Sequence, residues 1–180
     1  MSVYASKRSE SKAEFVRVAQ ELATYTLEQI KKFPKSYRFC LTNDIVRLAL
    51  EIHENVLRAN SIYIHKNMSE KEFELREEYF AKARSAIFAM SGLLTITFSL
   101  VLKGNNFLGD KKQTSNIFKE WARLLNYEAA LVKGIIESDK KRYKRLQKSP
   151  QSKENTETAE QNEGEIVLSE KTFDIDESEN

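Results

Sequence analysis

The octet "KFPKSYRF", residues 32–39, separates the first two helical patterns of the chain. It contains Pro34, one of two prolines among 180 residues. Because proline lacks an amide hydrogen and disfavours helix at the residue before it, the first helix should end near Lys32 or Phe33. A second helix can begin just beyond, at about Ser36. The octet therefore predicts a corner between two long helices.

Four amphipathic patterns lie around and beyond this corner. Capping-box spacings of Ser11 with Glu14 and of Ser69 with Glu72 predict the starts of the first and third helices. The second is predicted over residues 36–60, and the fourth from about Thr114. Apolar side chains recur at three- and four-residue steps in each pattern. The predicted core positions include Phe15, Val18, Leu22, Ile45, Ile52, Val56, either Tyr79 or Phe80, Ile87, Met90, Leu94, Trp121 and Leu125.

The fold prediction is an all-α, antiparallel up-down four-helix bundle over residues 11–148. Residues 1–10 are predicted to be disordered. The third helix is expected to end at Gly104, with that glycine in the left-handed conformation that often terminates helices. Five glycines and two prolines are few for a chain of this length, which argues against a turn-rich β fold.

Charge is strongly segregated along the sequence. Residues 1–150 contain 27 Lys and Arg against 17 Asp and Glu, a net charge of +10, whereas residues 151–180 carry −8. The polar, acidic composition of residues 149–180 predicts a disordered tail. A short apolar patch, "EIVLSEKTFDID" (165–176), is either unstructured filler or a partner-binding segment. The tail either competes with nucleic acid for the cationic body or only raises solubility.

The most apolar run, residues 85–104, approaches the length of a membrane span. Its serines and threonines, and the charged amphipathic pattern that precedes it, favour a buried helix of a soluble protein. The N-terminal residues are polar and do not resemble a signal peptide. A single cysteine, Cys40, excludes a disulfide framework. We therefore expect a cytoplasmic protein that does not enter the membrane.

No catalytic or metal-binding pattern is evident in the sequence. The two histidines, His53 and His65, are twelve residues apart and cannot form an adjacent pair of ligands on one helix. The acidic cluster at the start of the third helix is explained by the helix dipole. A glycine-rich phosphate-binding loop is also lacking. The sequence predicts a protein that is not an enzyme, with no cofactor and no metal.

Basic residues form two candidate nucleic-acid-binding groups. The first surrounds the octet, and the second forms the basic end of the fourth helix within "DKKRYKRLQK" (139–148). Such groups neutralise phosphates without sequence preference. The alternative is a solvated turn and a solvated helix end. The corner group consists of Lys31, Lys32, Lys35 and Arg38, and the terminal group of Lys140, Lys141, Arg142, Lys144 and Arg145.

A family resemblance adds to this interpretation. "FPKSYRF" and the following "LTNDIVRLALEIHENVLRANSI" (41–62) resemble the signature of a family of small bacterial four-helix-bundle proteins. That family includes the accessory variability determinant of diversity-generating retroelements and proteins encoded in intervening sequences of 23S ribosomal RNA genes. The matching residues are Phe33, Pro34, Lys35, Ser36, Arg38, Phe39, Ala59 and Asn60. The resemblance is most specific over residues 30–62, and the acidic tail lies outside it.

The resemblance implies a specific role. In the retroelement branch it implies a barrel-shaped homopentamer, bacterial or phage-encoded, that binds a reverse transcriptase and its RNA or cDNA without being catalytic. The two basic groups would then be nucleic-acid contacts. The alternative function is an oligomeric four-helix module that binds another protein and no nucleic acid, because one fold serves many functions.

Overall fold

The computed structural model describes the backbone of residues 3–104 and 107–148, and side chains from Glu14 onward. Four long helices make up this part of the chain: α1 (Val3–Gln29), α2 (Asn43–Ser61), α3 (Glu70–Lys103) and α4 (Lys111–Gln147). The described residues contain no strand. The prediction of an all-α chain with four helices is confirmed. The predicted acidic tail lies outside the described residues.

One apolar core joins the four helices. Helix α1 packs against α2 and α4, and α3 packs against the same two helices. Trp121 is completely buried, and its indole Nε1–H donates to Thr26 Oγ1 at 3.0 Å. The Thr26 hydroxyl in turn donates to the carbonyl of Leu22 at 2.7 Å. The Trp121 N–H and the Thr26 hydroxyl of this α1–α4 contact therefore both have a partner, as buried polar groups usually do.

The corner is built from three short turns rather than from the direct start of a second α-helix. Two 3₁₀ turns, Ile30–Lys32 and Lys35–Tyr37, flank Pro34, and one π-helical turn, Arg38–Thr42, leads into α2. Helix α1 thus ends before the proline, as predicted. The predicted start of the second α-helix at about Ser36 is wrong. The chain first forms the second 3₁₀ turn and the π-helical turn, and regular i→i−4 hydrogen bonding begins at Asn43.

The first helix begins at Val3 and not at Ser11. Residues 1–10 are predicted to be disordered, whereas α1 already includes the backbone from Val3 onward. The residues before Ser11 include Ala5, Lys7 and Glu10 and no glycine or proline. These types have high helix propensity, so nothing in the sequence stops the helix from extending toward the N-terminus.

The predicted capping box of α3 is confirmed. The backbone N–H of Glu72 donates to Ser69 Oγ at 3.3 Å, and the backbone N–H of Ser69 donates to Glu72 Oε2 at 2.9 Å. The Ser69 backbone N–H and the Ser69 hydroxyl both donate to the Glu72 carboxylate, which favours its charged form and lowers its pKa. The start of α3 is therefore fixed by two side chains that the sequence identifies.

The connection between α3 and α4 differs from the prediction. Gly104 has φ −100° and ψ −160°, which is extended backbone, so the predicted left-handed cap is wrong. The positive φ, 109°, occurs at Gly109 instead. Asp110 then caps α4 by accepting the Gln113 N–H at 2.6 Å, which starts the helix at Lys111 rather than near Thr114. An aspartate cap immediately after a glycine explains the earlier start.

Helix α3 is buried along one face and exposed along the other. Of the helices in the described residues, α3 alone is long and apolar enough to cross a membrane, by length and composition only. Core helices of soluble proteins meet the same criterion. One third of its most apolar stretch is buried within the chain. Phe88 and Ile96 are 67% and 58% exposed. The prediction of a buried helix therefore holds for one face of α3, and the other face is apolar and uncovered.

Candidate nucleic-acid interface

The corner group of basic residues borders an open groove. The groove has a volume of about 910 Å³ and extends from the corner along α2 as far as Glu54. Three of the four predicted residues of this group, Lys31, Lys35 and Arg38, line one end of it. Its apolar lining includes Val46 and Leu50. The structure thus brings these three cations together around a concave surface.

The three cations at the groove end lack ionic partners. Within the described chain, no carboxylate lies within salt-bridge distance of Lys31, Lys35 or Arg38, and all three are exposed. The remaining member, Lys32, points elsewhere and donates to Gln29 Oε1 at 2.7 Å. Unpaired, clustered cations produce a positive potential that attracts anions.

The carboxylates at the other end of the groove are neutralised by neighbouring arginines. Glu51 accepts from Arg47 at 3.0 Å, and Glu54 accepts from Arg58 at 2.6 Å. Arg47 also lies 3.4 Å from Asp44. The groove is therefore positive at the corner and close to neutral along α2.

The aromatic side chains of the corner have different environments. Phe33 is buried, and its ring centroid lies 5.2 Å from that of Phe107. Tyr37 contacts the same ring at 5.2 Å. Phe39, in contrast, is 83% exposed. Phe33 and Tyr37 hold the corner against the α3–α4 connection, whereas Phe39 presents a free aromatic face beside Arg38.

Part of the terminal basic group has a structural role. Lys140 Nζ lies 3.1 Å from Glu77 Oε1 on α3. Tyr143 stacks on Phe73, with ring centroids 4.2 Å apart and planes at 5°. These contacts attach the end of α4 to the start of α3. The terminal group therefore lies beside Phe73, while the corner group lies beside Phe107, and the two do not form one site within a single chain.

The other members of the terminal group are solvent-exposed. Arg142 contributes to the electrostatic environment of the largely buried Asp139 carboxylate. Lys141, Lys144 and Arg145 have no salt-bridge partner in the described part of the chain. These three residues remain available to bind an anion at the exposed end of α4.

Sequence reasoning missed the groove itself. Val46 and Leu50 are spaced by four residues on α2 and do not belong to its core stripe. That spacing was the available signal for a second apolar strip on this helix. The depth of the groove depends on how the corner folds back beside α2, which the pattern does not specify.

No other chemical site is evident in the described ranges. Within residues 3–104 and 107–148, no group of three His, Cys, Asp or Glu side chains is arranged to hold a metal ion. Comparisons with protein-family models, with curated proteins and with solved structures find no match to this chain.

Proposed function

We propose that the protein is a non-catalytic nucleic-acid-binding subunit that holds a phosphate backbone against the corner group. The observation that supports this proposal is the cluster of unpaired, exposed Lys31, Lys35 and Arg38 at one end of a groove. Each cation that contacts a phosphate releases a condensed counterion, which supplies affinity independent of sequence.

The exposed Phe39 favours unpaired bases as part of the ligand. Single-stranded segments are bound where a cationic path lies beside aromatic rings on which bases stack. Phe39 follows Arg38 directly and has 83% of its surface exposed. We therefore propose RNA loops or single-stranded cDNA as the ligand class.

The resemblance over residues 30–62 supports a more specific role. We propose that the protein acts in the cytoplasm as an accessory subunit of a reverse transcriptase in a system like a diversity-generating retroelement. We also infer an up-down bundle, because α1 and α3 each pack against α2 and α4. A reverse-transcriptase gene beside the gene for this protein would support the accessory role. If no such gene is present, the proposal reduces to RNA binding without a reverse transcriptase.

Replacing Lys31, Lys35 and Arg38 together by glutamine is expected to weaken RNA binding. If each contacts one phosphate of a single strand, the slope of log affinity against log salt falls by about 2, which corresponds to about 100-fold weaker binding at 0.1 M salt. Fluorescence anisotropy with a labelled RNA hairpin, measured across a salt series, checks both values.

A matched control removes three charges elsewhere. Lys141, Lys144 and Arg145 are similarly exposed and lie at the end of α4. Their glutamine variant is expected to change the slope less than the corner variant. Equal effects of the two variants would indicate attraction by net charge alone, and an unchanged slope in the corner variant would refute the proposed site.

A second candidate function rests on the uncovered face of α3. From Ser85 to Leu102, eighteen residues contain no charged side chain. Phe88, Ile96 and Leu100 on this stretch are all more than 40% exposed. Contiguous exposed apolar surface of this kind indicates a protein–protein interface. We propose that copies of this chain associate through it, with the pentamer implied by the resemblance as the expected assembly.

Replacing Phe88 and Ile96 together by serine is expected to dissociate the assembly. Each substitution removes about 1.5–3 kcal/mol of apolar burial at the interface. Light scattering at micromolar concentration should report several protomers for the wild-type protein and a monomer for the variant. The control is Leu27→Ser with Leu57→Ser, since these leucines are exposed on other helices. A wild-type monomer would exclude the assembly.

A further inference from the structure

We propose that residues 166–177 of this chain bind in the groove beside α2, with their acidic end against the corner group. This is an intramolecular contact, and it does not depend on nucleic-acid binding. The groove has an apolar middle and a cationic end, and the segment has an apolar beginning and an acidic end. The apolar residues of the segment are Ile166, Val167, Leu168, Phe173 and Ile175, and the acidic residues are Glu170, Asp174, Asp176 and Glu177.

The lining of the groove changes from apolar in the middle to cationic at the corner. Val46 and Leu50 line its middle, and Leu50 is 45% exposed although it is apolar. The unpaired Lys31, Lys35 and Arg38 line its end. Burial of apolar side chains along the middle would hold the segment, and the paired charges would fix its direction.

The carboxylates of the groove do not oppose this orientation. Glu51 and Glu54 are each within 3.0 Å of an arginine nitrogen, so their charge is locally compensated. The cations at the corner have no such compensation among the described residues. The corner group should therefore attract most strongly the part of the segment in which carboxylates are most concentrated, Asp174–Glu177.

The length of chain that follows α4 is sufficient to reach the groove. Arg76 bonds both Asp139 on α4 and the carbonyl of Ile62, so Asp139 lies level with the end of α2. At 1.5 Å per residue, Lys148 lies about 14 Å beyond that level and Leu50 about 17 Å before it. The seventeen residues 149–165 can span up to about 56–61 Å. This exceeds the axial separation of about 31 Å even after the chain crosses the width of the bundle.

Binding of the segment in the groove would also limit the access of other anions to the corner group. An occupied corner cannot bind a second anion, so the segment would act as an internal competitor at high effective concentration. Because the contact is partly electrostatic, salt should weaken it, whereas its apolar part should persist.

The native Cys40 allows a test in the full-length protein. It is an exposed, free thiol within the π-helical turn that contributes Arg38 to the groove. A nitroxide attached to Cys40 is expected to broaden the amide NMR signals of residues 166–177. Charge reversal by Lys31→Glu, Lys35→Glu and Arg38→Glu should abolish the broadening. The matched reversal of Lys141, Lys144 and Arg145, which lie nearer to the tail in sequence, should preserve it.

Two further samples complete the test. Replacing Ile166, Val167 and Leu168 by serine should reduce the broadening, because it removes the apolar part of the contact. Mixing nitroxide-labelled protein with isotope-labelled protein that lacks the nitroxide should give no broadening. Broadening in that mixture would assign the contact to a second copy and overturn the intramolecular proposal. Absence of broadening in the wild-type chain, or equal loss in both charge-reversal variants, would overturn it as well.

Discussion

Arg76→Ala is expected to lower the free energy of unfolding by about 3–5 kcal/mol, the usual cost of removing one partner of a buried ion pair. Arg76 is 9% exposed, and its Nε donates to Asp139 at 2.7 Å. Its Nη1 donates to the backbone carbonyls of Ala59 and Ile62 at the end of α2. One guanidinium on α3 therefore satisfies groups from two other helices.

Loss of Arg76 would leave a buried carboxylate without its cation. Burial already raises the pKa of Asp139, and Arg76 opposes that shift. Without Arg76 the carboxyl would be protonated over a wider pH range, or the end of α4 would separate from α3. The contacts of Tyr143 and Lys140 with α3 depend on the same alignment, so the terminal basic group should also lose its order.

The control for this prediction is Arg58→Ala. Arg58 makes an ion pair with Glu54 in which both side chains are more than half exposed. Exposed pairs contribute about 0–1 kcal/mol, so this variant should unfold almost as the wild type does. Urea denaturation followed by circular dichroism compares the two. A loss below 1 kcal/mol for Arg76→Ala would show that water replaces the guanidinium without strain.

Helix content and core positions could be predicted because they depend on local rules. The three- and four-residue spacing of apolar residues identified positions such as Phe15, Ile52 and Trp121, all of which are buried. Pro34 and the capping box at Ser69 marked boundaries through backbone chemistry that acts within a few residues. The predicted end of α3 at Gly104 is also correct, but the predicted left-handed conformation there is wrong, because a glycine permits that conformation and does not require it.

The candidate site could be predicted only as a set of charges. The sequence identifies Lys31, Lys35 and Lys140 as basic, but it does not reveal that Lys140 is paired with Glu77, 63 residues away in the chain. Whether a cation is free or compensated depends on tertiary contacts. The groove likewise depends on the packing of the corner beside α2, which no local rule specifies.

The buried carboxyl of Glu128 is expected to make the protein less stable at alkaline pH. Glu128 is fully buried on α4, and neither carboxylate oxygen has a hydrogen-bond partner among the side chains and backbone that the structure describes. Burial, with a smaller contribution from the charge of Glu14, raises its pKa from 4.5 to about 8. In the helical pattern this glutamate lies four residues from the core positions Leu124 and Val132, so its spacing is that of a core residue.

The sign of the effect follows from proton binding. Between about pH 4.5 and pH 8 the folded protein retains the proton of Glu128 and the unfolded chain releases it, so the free energy of unfolding falls as pH rises through this range. At 1.36 kcal/mol per pKa unit, the upper limit of the loss is about 5 kcal/mol. Glutamine at position 128 cannot ionise, so Glu128→Gln should remove this dependence and stabilise the protein most above pH 8.

Urea unfolding of the wild type and Glu128→Gln at a series of pH values tests this prediction. The control is Glu120→Gln on the same helix, where hydrogen bonds from Arg123 lower the pKa of the carboxyl. Glu120 is therefore ionised in both states across neutral and alkaline pH, and its variant should retain the wild-type slope. A wild-type stability that is constant from pH 5 to about pH 9 would mean that the Glu128 carboxylate is charged in the folded state and has found a compensating partner.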